Sequence, residues 1–141
     1  MWTTTQLLQD LRGCAAVTTG AWQVEQVTGT SDTPDAILIT CVEQGDLEVH
    51  LTVCGAQILA SVLLWPTRLV HDSAKLNATL LRDHKILPLS TFGITYALGE
   101  DWYELFGALS ADATLQSVLT ELTTLAENAL EVTEAYADQL A

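Results

Sequence analysis

Three cysteines and three histidines are the side chains in this chain best suited to chemistry, and their spacing keeps them apart. Cys14, Cys41 and Cys54, with His50, His71 and His84, form no CxxC, HxxH or HExxH arrangement. A zinc site needs three or four converging ligands, which such short spacings commonly supply. Ser90 and Thr91 belong to no nucleophile motif of the GxSxG kind. His71 and His84 flank a predicted helix and read as cap or surface residues. Gly93, Gly99 and Gly107 fall in or between predicted strands, where glycine marks a turn, a bulge or a close approach rather than a phosphate loop. These patterns point to no enzyme, no metal and no cofactor.

The charges narrow the partners. Among 141 residues there are 18 acidic and 5 basic, for a net charge of −13. Nucleic-acid binding draws on Lys and Arg to neutralise phosphates, so that class is excluded, and anionic membranes are disfavoured for the same reason. The last basic residue is Lys85; from Ile86 onward only carboxylates follow. A basic segment of another protein remains a fitting partner, because complementary charge steers encounter. The start, Met1 to Gln6, lacks the basic and apolar regions of a secretory signal. The longest apolar run, Ile58 to Trp65, is far too short to span a bilayer. With an odd number of cysteines, this leads to an expectation of reduced thiols and a cytoplasmic protein.

The elements that must position any site can be read from periodicity and turn chemistry. Thr3 to Thr5 cap a short helix with Leu7, Leu8 and Leu11 on one stripe and Gly13 as its stop. Trp22 to Val27 alternates as a strand, and Thr28 to Asp35 is turn chemistry. Two strands follow, Ala36 to Glu43 and Asp46 to Cys54. In the second, Leu47, Val49, Leu51 and Val53 share one face. A two-residue turn at Gln44-Gly45 sets Val42 against Leu47, Thr40 against Val49 and Leu38 against Leu51, and puts Cys41 opposite Glu48 and diagonal to His50. Gln57 to Trp65 forms another strand, stopped by Pro66.

A helix capped by Asp72 or Ser73 then turns Leu76, Leu80 and Leu81 to the core and ends before Pro88. Phe92, Ile94 and Tyr96 alternate in a strand, Gly99-Glu100-Asp101 turns the chain, and Trp102 to Leu109 returns. A long helix capped near Asp112 closes the chain, with Leu115, Val118, Leu122, Leu125, Ala129, Val132 and Tyr136 as its seam. The fold class is α+β: a single antiparallel sheet of five to six strands with three helices, in the order α, three to four strands, α, two strands, α, forming one domain over 1–141.

Two surfaces stand out as places for a partner. Trp102 and Tyr103 are successive large rings on opposite sheet faces, so one looks outward; with Phe106 they form a candidate hot spot. On the last helix Glu127, Glu131 and Glu134 lie opposite the seam. They form a solvated acidic face and a second candidate for docking a basic segment.

Leu87-Pro88-Leu89-Ser90-Thr91-Phe92-Gly93-Ile94, Trp102-Tyr103-Glu104-Leu105-Phe106-Gly107-Ala108-Leu109-Ser110-Ala111 and Leu125-Ala126-Glu127-Asn128-Ala129-Leu130-Glu131-Val132 resemble the YjfI-like family of uncharacterised bacterial proteins. The resemblance covers the whole length and is strongest from about Leu80. It implies no assigned activity and no catalytic residue. Its members are often encoded beside PspA-like proteins, which implies an association with envelope stress. The element order also looks like the type III secretion chaperone fold and the YbjN-like proteins that share it. That likeness implies a small, acidic, cytosolic and usually dimeric protein that holds partners in extended form. Four strands between 22 and 65, where such chaperones have three, are a departure from that pattern.

Together these readings lead to the expectation of a non-enzymatic chaperone-like or adaptor protein, acting as a homodimer on a protein partner. The alternative is a small-molecule-binding or regulatory domain with a pocket of ~300–1,000 Å³ between the sheet and the last helix.

Overall fold

The computed structural model describes residues 1–140, so the last residue of the 1–141 domain, Ala141, lies outside the described residues. The first helix, α1 (Thr4–Arg12), starts where Thr3 accepts a hydrogen bond from the Gln6 N–H at 3.2 Å, and it buries Leu7, Leu8 and Leu11. A four-residue helix, α2 (Ala15–Thr18), follows it. Four strands come next, β1 (Trp22–Val27), β2 (Ala36–Cys41), β3 (Leu47–Cys54) and β4 (Gln57–Pro66), then α3 (Ser73–Asp83), the hairpin β5 (Thr91–Ala97) and β6 (Glu100–Ser110), and α4 (Leu115–Ala135). The strands form one antiparallel sheet in the order β1-β2-β3-β4-β6-β5. This is the α+β architecture anticipated from sequence, with four strands before α3 and one extra short helix. No helix among the described residues is long and apolar enough to cross a membrane.

All the helices lie on one face. Ile37, Ile39, Val49, Leu51, Ile58, Val62 and Leu105 point to that side and are buried. Val118, Leu122, Leu125, Ala129 and Val132 of α4 cover them, with α4 packed over β3, β4 and β6 and α1 over β1 and β2. Among the described residues the opposite face carries no helix. Because side chains alternate along a strand, every outward position of β2, β3, β4 and β6 lies on this uncovered surface.

Four sequence expectations need correction. The β2–β3 pairing is shifted by one residue: Cys41 pairs with Leu47, Ile39 with Val49 and Ile37 with Leu51. The connection is longer than two residues, a 3-10 turn at Val42–Gln44 followed by left-handed Gly45 (φ 72°) and Asp46 (φ 59°). A one-residue slip exchanges the faces of a strand. It therefore puts Ile37, Ile39 and Cys41 in the core, and separates Cys41 from His50 and Glu48. Leu81 is 70% exposed rather than a core residue, because the buried stripe of α3 is confined to Leu76 and Leu80. The β5–β6 turn is Leu98-Gly99, both left-handed (φ 53° and 83°), and strand β6 already includes Glu100 and Asp101. Helix α4 is capped by Thr114, whose hydroxyl accepts from the Ser117 N–H at 3.1 Å, two residues beyond Asp112.

Candidate functional site

The pairing registers place outward side chains in rows that cross the open face. One row runs Leu38, His50, Ser61, Phe106, Thr91; the next runs Thr40, Glu48 and then, across β4, Leu63, Glu104, Gly93. Trp102 and Thr95 are paired one step further along. The register of β4 shifts between Leu63 and Trp65, and such bulges sharpen local twist. Beside that irregularity the face is concave. A groove of about 680 Å³ is lined by Glu48, His50, Ser61, Leu63, Trp102 and Glu104, with the tips of both hairpins, at Asp46 and Leu98, on its rim.

The groove is apolar in its floor and acidic in its walls. Trp102 is half-buried, and its indole N–H donates to the Ala97 carbonyl at 3.0 Å, which ties the ring to the neighbouring strand. Burial pushes the Glu104 carboxyl above the ordinary carboxylate range. Gly93 makes room here: a Cβ at this position would stand 3.1 Å from the Phe106 ring and 3.3 Å from the Glu104 Oε1. None of the lining residues is Lys or Arg. The five basic residues lie elsewhere, on α1, on α3 and the turn after it, and at Arg68, which is paired with Glu100 at 2.8 Å.

His50 and Ser61 are cross-strand partners, the one juxtaposition on this face that resembles a base beside a nucleophile. No hydrogen bond joins them, or joins His50 to Glu48 or Glu104, among the described residues. An activated serine needs that linkage. Among the same residues no three His, Cys, Asp or Glu side chains cluster as metal ligands would.

The partner residues expected from sequence fall into three places. Trp102 and Phe106 are on the open face, as one of the two successive rings had to be. Tyr103 is not a surface residue. It is 2% exposed on the helix side, packs against Trp65 with ring centroids 6.0 Å apart, and donates its hydroxyl to the Asn77 Oδ1 at 2.5 Å. Glu127, Glu131 and Glu134 are exposed on α4, on the far side of the molecule from the groove. Where sequence suggested a pocket between the sheet and the last helix, a hollow of about 210 Å³ lies between Phe92 of β5 and Glu131, Val132 and Ala135 of α4, smaller than the ~300–1,000 Å³ of a typical ligand site. Two further hollows lie beside the helices, one of about 210 Å³ between α3 and β5 and one of about 320 Å³ at the start of α1, lined by Met1, Trp2 and Gln6.

One buried group escaped sequence reasoning. Glu121 is 4% exposed, its Oε1 has no hydrogen-bond partner among the described residues, and burial raises its pKa. Its carboxyl lies over Gly107 of β6, where a Cβ would come within 1.6 Å of Oε1. The signal was present: Val118, Glu121, Leu125, Asn128 and Val132 continue one buried stripe at helical spacing. This carboxyl is sealed between α4 and the sheet and has no access to the groove.

Comparison with known proteins adds a family and a fold. The family model DUF2170, "Uncharacterized protein conserved in bacteria", matches residues 1–140. The protein YjfI of Escherichia coli K12, itself uncharacterised, is 33% identical over 115 residues, covering 79% of this chain and 86% of its own length. YjfI of E. coli O157:H7 matches equally. Among solved structures, YbjN of E. coli, a candidate transcription regulator, superposes with a TM-score of 0.62 over 96% of this chain and 90% of its own, at 16% identity. At that identity the likeness is one of fold.

Proposed function

This chain belongs to the DUF2170 family of uncharacterised bacterial proteins, and from that premise we propose that it is a non-enzymatic adaptor whose open sheet face holds a basic, partly apolar segment of a protein partner. The observation that carries this reading is the groove on the uncovered face. An exposed concavity with Trp102 and Leu63 in its floor, Asp46, Glu48 and Glu104 around it and no Lys or Arg in its lining suits a cationic amphipathic segment. The aromatic floor offers both apolar area and a π face for Lys or Arg. The carboxylates add orientation and encounter rate more than raw affinity. A regulatory role, the one attached to YbjN, is compatible with such an adaptor and would be exercised through the bound partner.

A probe of defined chemistry tests it: a synthetic peptide of alternating lysine and leucine, titrated by calorimetry. Two variants of equal net charge separate the faces, Glu48→Lys with Glu104→Lys in the groove, and Glu127→Lys with Glu131→Lys on α4. The groove pair is expected to weaken binding by about tenfold or more, and the helix pair by about threefold or less. Equal losses from both pairs would show a general charge effect and overturn the assignment of the groove.

A further inference from the structure

The two edges of the sheet are treated differently. At one end β1 carries Gln23, Glu25 and Gln26, and α1 and α2 pack beside it. Charged edge residues and covering helices are the usual means by which a sheet avoids pairing with another chain. At the other end β5 has neither. From Pro88 to Gly99 the sequence holds no charged residue, although the chain carries a net −13. Ile94 and Tyr96 are 53% and 73% exposed, and Leu98 at the hairpin tip is also exposed. Leu81 and Ile94 line the apolar hollow of about 210 Å³ between α3 and this edge.

The hydrogen-bonding parity of the edge follows from its turn. A two-residue loop at Leu98-Gly99 makes Ala97 and Glu100 a hydrogen-bonded pair, so Thr91, Gly93, Thr95 and Ala97 direct their main-chain groups to β6. Phe92, Ile94 and Tyr96 direct theirs outward. The Phe92 N–H confirms this, because it donates away from β6 to the His84 Nε2 at 2.7 Å. His84, stacked on Phe92 with ring centroids 5.2 Å apart, thereby closes one end of the edge. Among the described residues the N–H and C=O groups of Ile94 and Tyr96 have no strand beside them.

We propose that a second copy of this chain occupies the β5 edge. The two β5 strands run antiparallel about a two-fold axis at Thr95, with Ile94 of each copy opposite Tyr96 of the other. In this register each free N–H and C=O of Ile94 and Tyr96 gains a partner, four main-chain bonds in all, and the His84–Phe92 bond is left intact. The exposed Ile94 and Tyr96 side chains then pack against each other on the helix side. A charge-free strip is the natural meeting place for two copies of a strongly acidic chain, since like charges directly opposed would repel. The contact is isologous and closes at two subunits. It joins two six-stranded sheets edge to edge, with both grooves on one continuous face. It does not depend on what the groove binds.

Sedimentation equilibrium of the purified chain is expected to give twice the 15.2 kDa of one copy. The double variant Ile94→Glu with Tyr96→Glu alters exposed side chains only, and is expected to sediment as a folded monomer with unchanged far-UV circular dichroism. Val27→Glu, on the β1 edge, is expected to remain dimeric. Register is read by cross-linking: residues at a non-hydrogen-bonded antiparallel pair have Cα atoms ~4.5 Å apart, within disulfide range. Thr95→Cys, with Cys54→Ser to remove the one native cysteine that is not buried, is expected to form a disulfide-linked dimer under mild oxidation, and Thr91→Cys in the same background is not. A wild-type chain that sediments as a monomer would overturn the proposal. A dimer that survives the double glutamate substitution, or cross-links through Thr91→Cys and not Thr95→Cys, would overturn it equally.

Discussion

Glu121 and Gly107 show how one residue pair fixes the relation of a helix to a sheet. The glycine lets the carboxyl settle on β6, and the helix brings that carboxyl into the core without a partner for Oε1. Gly107→Ala is expected to lower stability by about 1–3 kcal/mol, the usual cost of forcing extra volume into a packed site. Combining it with Glu121→Ala should cost less than the sum of the two single changes, because the clashing atoms are then gone. Denaturant unfolding of the four proteins measures both. The pH dependence has a definite sign. Since burial raises the folded pKa of Glu121, the fold retains a proton that the unfolded chain releases first. Stability is full below the ordinary carboxylate range and is lost as pH rises through the raised value. Glu121→Gln keeps the shape and removes the titration, so its melting temperature is expected to exceed wild type at neutral pH, with the gap closing in acid. The sequence left Gly107 open as a turn, a bulge or a close approach, and the structure makes it a close approach. What approaches was hidden because a glutamate on a helix reads first as surface, and only its place on the stripe of Val118 and Leu125 says otherwise.

At the scale of elements, hydrophobic period identified the strands and the long helix, and turn chemistry decided where the reading failed. The β2–β3 register could not be settled from Gln44-Gly45, because Asp46 also takes a left-handed conformation and lengthens the connection. Alternation is equally good in either register; burial of Ile37, Ile39 and Cys41 selects the observed one. The placement of α4 rests partly on Asn128, which is buried and donates to the Pro88 carbonyl and to the Ser90 Oγ, each at 2.9 Å. It ties the helix to the segment that leads into β5. Asn128→Ala leaves those acceptors unpaired and is expected to destabilise the protein by about 1–3 kcal/mol, measured by thermal or urea unfolding. The C-terminal turn of α4 is held by Tyr136, whose hydroxyl donates to Asp83 and whose pKa is pushed up to about 12, by burial first and then by that carboxylate. The raised value favours the neutral phenol in the fold, so this contribution persists at neutral pH and is lost as pH rises from about 10 toward about 12.

Across the whole molecule, a single sheet divides two kinds of surface. Helices and core occupy one side. The other side is bare, and its charge is one-sided because the basic residues lie on α1, around α3 and at Arg68. The net charge of −13 and the outward ring at the Trp102–Tyr103 step were legible in the sequence. The groove was not, since it is made by rows that cross four strands and depends on the pairing order β3-β4-β6-β5. Adding a basic segment beside Glu104 favours its ionised form, so affinity for the lysine–leucine peptide is expected to rise as pH is raised out of the carboxylate range, and to fall with added salt. The most direct test of the groove as the working surface is an amide NMR titration of the wild-type chain with that peptide. The largest shifts are expected on the outward residues of β3, β4 and β6, with the Trp102 indole N–H among them. Shifts confined to α4 around Glu127, Glu131 and Glu134 would contradict it.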